Sequence, residues 1–148
     1  MRIYVAAALP LKHHAAALAA ALREAGHRVT STWHEKQDAT EADERKLSFI
    51  EMDMIGKACL WEIECSRALV VIVGPKSTRR GSWIEASAAA IDGKLVLAYI
   101  LEPEEEDHKL WCPMSAAIVD SRHGDVKSLL DELGAPGRAR REGDRRGT

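Results

Sequence analysis

The chain has 148 residues, enough for one domain with one core. Its 46% apolar and 30% charged content is that of a soluble globular protein, and its formal net charge of -2 gives no pull toward nucleic acid or an anionic membrane surface. No segment is long enough to cross a bilayer, and Cys59, Cys65 and Cys112 form neither a disulfide framework nor a zinc-ligand spacing, which suggests a reducing, cytoplasmic setting.

In chain order, Arg2–Ala7 is an apolar run that reads as a first strand, ended by Pro10. Only Met1-Arg2 precedes it, and Lys12-His13-His14 interrupts the apolar stretch, so strand and helix fit better than a secretion signal. Lys12–Ala25 is rich in Ala and Leu and reads as a helix with Gly26 as its stop. Arg28–Trp33, with Val29, Thr30 and Thr32, reads as a second strand, and His34–Asp43 as a polar loop. Leu47, Ile50, Met54, Ala58 and Leu60 recur at helical spacing, predicting a long helix over Glu44–Cys65 with a break near Gly56. Ala68–Val73 has no polar face, so it predicts a strand covered on both sides. A helix over Ser82–Ile91, a fourth strand over Leu95–Leu101 and an acidic loop over Glu102–Asp107 follow. A fifth strand over Ala116–Asp120 and a last helix over Gly124–Leu133 complete residues 1–133. Residues 134–148 hold five arginines, four glycines and almost nothing apolar, which predicts a basic, disordered tail outside the domain.

Strand and helix alternate throughout. That predicts an α/β fold: a single doubly wound domain with a five-stranded, mostly parallel sheet in the order 2-1-3-4-5 and helices on both faces. In such sheets ligands bind beyond the carboxyl ends of the strands, here between strands one and three. The segment after Val5-Ala6-Ala7 and the loop of Arg80–Glu85 would line one pocket. Glu85 then sits in the first turn of a helix, where the helix dipole favours the ionised form, and an ionised carboxylate at a ligand edge is a candidate nucleophile. There is no Walker A loop and no Gly-x-Gly-x-x-Gly after strand one.

Each of these residues also has a plainer reading. Ser82-x-x-Glu85 is a capping box, in which Glu85 satisfies the Ser82 backbone N–H. Trp33-His34 is either a stacking platform for a base or a rim aromatic beside a solvated histidine. Arg79-Arg80 either pairs with a 5'-phosphate or carboxylate, or belongs to a solvated loop.

Three blocks resemble the nucleoside 2-deoxyribosyltransferase-like family, which includes nucleoside 5'-monophosphate N-glycosidases. They are Ile3-Tyr4-Val5-Ala6, Gly26-His27-Arg28-Val29-Thr30-Ser31-Thr32-Trp33, and the run from Gly81-Ser82-Trp83-Ile84-Glu85 through Ala86–Ala90 to Gly93-Lys94. The last carries the family's Gly-x-x-x-Glu-x-x-x-Ala pattern with Gly-Lys following. The resemblance implies cleavage or transfer at the N-glycosidic bond of a nucleoside or nucleotide, with Glu85 as the nucleophile at C1'. Tyr4, Ala6, Trp33, Arg80, Gly81, Ser82 and Trp83 would hold sugar and base. It implies no metal or redox cofactor. It also implies a homodimer in which Pro113-Met114-Ser115-Ala116, and Ser115 in particular, completes the neighbour's pocket. The sequence departs from the family at two aspartates, whose aligned positions here are Cys59 and Arg67. Glu62, Glu64 and Asp53 lie nearby but out of register.

A second resemblance is to TIR domains, through Cys65-Ser66-Arg67-Ala68 to Val73 followed by Ser82-Trp83-Ile84-Glu85. It implies the alternative of a non-catalytic nucleotide-binding or TIR-like interaction module.

Overall fold

The computed structural model describes residues 1–35, 46–74, 81–102 and 111–134. Five parallel strands stand in the order β2-β1-β3-β4-β5: β1 Arg2–Ala6, β2 Arg28–Val29, β3 Ala68–Val73, β4 Leu95–Ile100 and β5 Ser121–His123. Among the described residues, five α-helices lie around them: α1 Lys12–Glu24, α2 Phe49–Glu64, α3 Gly81–Ile91, α4 Pro113–Ile118 and α5 Val126–Gly134. This is the predicted doubly wound order.

Successive strand residues point to opposite faces, so the sheet separates two cores. Ile3, Val5, Val70, Ile72 and Leu97 pack with Leu18, Leu22, Leu129 and Leu133 of α1 and α5. Tyr4, Ala6, Leu69, Val71 and Val73 pack with Ile63 of α2 and with Ala86, Ala89 and Ala90 of α3. The alanines bring α3 close to the sheet. β3 pairs on both sides and is buried along its whole length, as its unbroken apolar run predicts.

Gly26 ends α1 in the left-handed region at φ +84, the conformation its place after the helix requires. α2 runs unbroken through Gly56 and starts at Ser48, which makes a capping box with Glu51. It therefore begins five residues later than the apolar spacing predicts, at the strongest cap available.

Two strands also differ from expectation. The second strand has two residues, not six. After Val29 the neighbouring hydroxyls compete for the backbone bonds of β1: Ser31 Oγ accepts from Val5 N at 3.1 Å, and Trp33 Nε1 donates to Val5 O at 2.8 Å. Trp33–Glu35 then forms a short 3-10 turn. The fifth strand is Ser121–His123 rather than Ala116–Asp120, because Pro113–Ile118 is a helix. Pro113 suits a first helical position, and Cys112 and Ser115 cap each other: Ser115 Oγ accepts from Cys112 N at 2.8 Å. The expected tail and the loops over 36–43 and 103–107 lie outside the described residues, apart from Gly134, which ends α5.

Candidate active site

Tyr4 lies on β1 with its ring fully buried on the α2/α3 side of the sheet. Its phenol donates to Glu85 Oε1 at 2.8 Å. Glu85 projects from α3, the helix that follows β3 in the chain. The thiol of Cys59, on α2, lies within hydrogen-bonding reach of both Tyr4 and Glu85. Glu62, one turn further along α2, is held by Thr32: it accepts from the Thr32 backbone N–H at 3.2 Å and from Thr32 Oγ1 at 2.6 Å. Glu62 also lies close enough to Glu85 for its charge to be felt there. Strand β1, the turn after β2 and helix α3 thus bring Tyr4, Thr32 and Glu85 to one place, where α2 adds both Cys59 and Glu62.

The ionisation of Glu85 differs from the expectation. Glu85 is the fifth residue of α3, past the first turn, where the helix dipole has faded. Burial dominates and pushes its carboxyl up to about 7. The nearby Glu62 charge acts in the same direction, while hydrogen bonds from Tyr4 and Cys59 pull the other way. Burial also drives the Tyr4 phenol far above its ordinary range, so Tyr4 serves as a fixed hydrogen-bond donor. A carboxyl poised near neutrality, half-buried and oriented by a donor, is suited to nucleophilic attack or proton transfer.

The capping-box reading of Glu85 is not what forms. The helix already starts at Gly81, so Ser82 lies inside it, and the Glu85 carboxylate is spent on Tyr4. Ser82 is buried, and its Oγ has no hydrogen-bond partner among the described residues. Gly81 is exposed at the start of α3. Trp83 packs against Trp111, ring centroids 5.4 Å apart, on the side of α3 that faces α4. Ala6 is completely buried in the core beneath the site. Trp33 is partly buried, with its N–H fixed on Val5 O. His34 is buried against Ser31 Oγ at 3.1 Å, and burial lowers its pKa, so it is not the solvated histidine expected at that edge. Ser115 is buried in the α4 cap. Arg80 lies outside the described residues.

Of the two positions where the family aspartates would align, Cys59 is at the site. Arg67 is exposed at the opposite edge of the sheet, where its backbone N–H meets Arg2 O at the start of β1. Glu62 is the residue that sequence spacing passed over. The available signal was its i, i+3 relation to Cys59 together with the hydroxyl run Thr30–Thr32. Asp53 is instead paired with Lys57 at 2.7 Å.

No protein-family model matches the sequence, and no curated protein matches it. Solved structures do match. A 2-deoxyribosyltransferase of Bacillus psychrosaccharolyticus shares 22% identity at a TM-score of 0.67, over 88% of this chain and 91% of its own. The CMP N-glycosidase BcmB of Clostridium botulinum shares 18% identity at a TM-score of 0.55, over 91% of this chain and 100% of its own. A conserved protein of Enterococcus faecalis V583 shares 16% identity at a TM-score of 0.67, over 90% and 96%. The chain therefore has, over nearly its whole length, the fold on which a 2-deoxyribosyltransferase and a CMP N-glycosidase are built.

Proposed function

We propose that the protein cleaves or transfers the N-glycosidic bond of a nucleoside or nucleotide, with Glu85 as nucleophile. The observation that carries this reading is the Tyr4–Glu85 hydrogen bond at a ligand edge, with the Glu85 carboxyl raised to about 7. An ionised Glu85 oxygen attacks the anomeric carbon. The C–O bond forms as the C–N bond breaks, and the base leaves with the bonding electron pair and takes up a proton. Water or a second base then attacks the same carbon and releases Glu85. Tyr4 keeps the carboxylate aimed during both steps. Glu62, anchored by Thr32, is the second carboxylate that such a displacement uses, here from one helical turn beyond the aligned Cys59. The fold relationship to a transferase and an N-glycosidase supports the substrate class.

The test is incubation with a panel of nucleosides and nucleoside 5'-monophosphates, reading free base by chromatography. Base release is expected from at least one member. Its rate should rise with pH through an acid limb near 7, since Glu85 must be ionised. Glu85→Gln should lower it on the order of 10⁴-fold. Undiminished release by that variant would remove Glu85 from the mechanism.

A further inference from the structure

The turn that follows β2 is bonded to β1 at three points. Thr30 N donates to Ile3 O at 2.8 Å, Val5 N to Ser31 Oγ at 3.1 Å, and Trp33 Nε1 to Val5 O at 2.8 Å. Ser31 Oγ also meets His34 Nε2 at 3.1 Å, and both residues are buried, 0% and 4% exposed. A serine oxygen that accepts from a backbone N–H still has one hydrogen to give. With that hydrogen on His34 Nε2, the nitrogen presents a lone pair, and the imidazole is uncharged with its proton on Nδ1. The bonds then run one way, from Val5 N–H through the Ser31 hydroxyl to His34. Thr32 lies between Ser31 and His34 in the chain, and its N–H and hydroxyl hold Glu62 at 3.2 and 2.6 Å.

We propose that His34, acting through Ser31, is a positioning residue for Glu62: uncharged, it locks the turn that holds Thr32 on the Glu62 carboxylate, and on taking up a proton it undoes that hold. The inference rests on the reading of Glu62 as the second carboxylate of a glycosidic displacement. A protonated imidazole donates from both nitrogens. Ser31 Oγ would then accept from Val5 N and from His34 at once, and its own hydrogen would lose its acceptor in a buried place, which a folded chain resists. Burial lowers the His34 pKa and keeps the ring uncharged at neutral pH. The charges that face it come from three elements: Glu35 of its own turn, Arg23 of α1 and Glu62 of α2. The two carboxylates favour the proton and Arg23 opposes it, but Glu35 and Arg23 are paired with each other. A protonated ring would also compete with Thr32 for the Glu62 carboxylate, whose charge already reaches it. Both effects part Thr32 from Glu62 in acid.

NMR of the full chain tests this without substrate, following the imidazole nitrogens, the Thr32 amide and the Glu62 carboxyl carbon from pH 8 down to about pH 5. At pH 8 His34 should carry its proton on Nδ1. On acidification it should protonate below the ordinary histidine range, and the Thr32 and Glu62 signals should shift with the same midpoint. A proton on Nε2 at pH 8, or a Thr32 amide that stays still while His34 titrates, would overturn the proposal. If the panel shows base release, the rate should fall with first order in protons just below 7, where Glu85 titrates, and with second order further down, where His34 does. His34→Leu should lower kcat at pH 8 about 10-fold or more through the misplaced Glu62. His34→Gln returns an acceptor to Ser31 but cannot ionise, so it should restore most of that rate and keep a first-order limb throughout. A second-order limb in His34→Gln would equally overturn the proposal. Absence of base release from the whole panel counts against the glycosidic reading alone, and the resonances still decide whether His34 governs the hold on Glu62.

Discussion

The two faces of the sheet are built from the same five strands but for different ends. Toward α1 and α5 the core is large and aliphatic, with Leu18, Leu22, Leu129 and Leu133 against Ile3, Val5, Val70 and Ile72. Around it, exposed Lys127 and Asp131 form an ordinary surface ion pair on α5. Toward α2 and α3 the core uses alanines, buries a tyrosine hydroxyl against a carboxyl, and leaves isoleucine and tryptophan facing outward. The first face fills volume and carries stability. On the second, small residues let α3 approach the sheet closely enough for Tyr4 and Glu85 to meet. The contrast teaches that a doubly wound sheet can separate stability from chemistry by the parity of its strand residues: Ile3 and Val5 serve one side, Tyr4 and Ala6 the other.

Substitutions on the two faces should therefore have separable effects. After the loss expected of Glu85→Gln, the largest is expected at Glu62. Glu62→Gln keeps the shape but loses the charge held by Thr32, and should lower base release 10²–10⁴-fold in single-turnover assays. An equal loss of melting temperature would instead make Glu62 a brace for Thr32. Next comes Leu22→Ala on the opposite face. It should cost about 2–5 kcal/mol in denaturant unfolding, because a fully buried side chain is removed from a packed core. The Michaelis constant measured below the unfolding transition should not change; a large change would show that the faces are coupled through the sheet.

The smallest effect sharpens the contrast most. The Glu85 carboxyl is raised from an ordinary value of 4.5 to about 7, so the folded state holds its proton longer than the unfolded chain does. Its contribution to stability therefore falls as pH rises from about 4.5 to about 7, and the whole penalty is present above that window. Glu85→Gln should remove a penalty on the order of 1–3 kcal/mol, so the variant should melt higher than the wild type at pH 8. The difference should vanish below about pH 4.5. Thermal melts across that range check the sign, and a wild type that is the more stable at pH 8 would contradict the burial argument.

Much of this protein is legible in the residues alone, and the rest has an identifiable reason for being hidden. The unbroken apolar run Ala68–Val73 marks a central parallel strand, since only a strand covered on both faces has no polar side. Gly26 marks the end of α1, since only glycine enters the left-handed conformation there without strain. The alternation of elements points to the sheet order, and the block around Glu85 singles out the candidate nucleophile. These are local signals: periodicity, backbone permissiveness and short spacing. Tertiary structure decided what depends on residues far apart in the chain. It shortened β2, because Ser31 and Trp33 reach across to Val5. It chose a helix over Pro113–Ile118, through a cap closed by Cys112 and Ser115. It reversed the expected ionisation of Glu85, because burial against Tyr4, 81 positions away in sequence, outweighs a helix dipole that reaches only one turn. It brought in Glu62, whose place beside Glu85 depends on how α2 packs against α3 and on the hold of Thr32. Desolvation and charge proximity are properties of packed neighbours, and no spacing along a single chain encodes them directly.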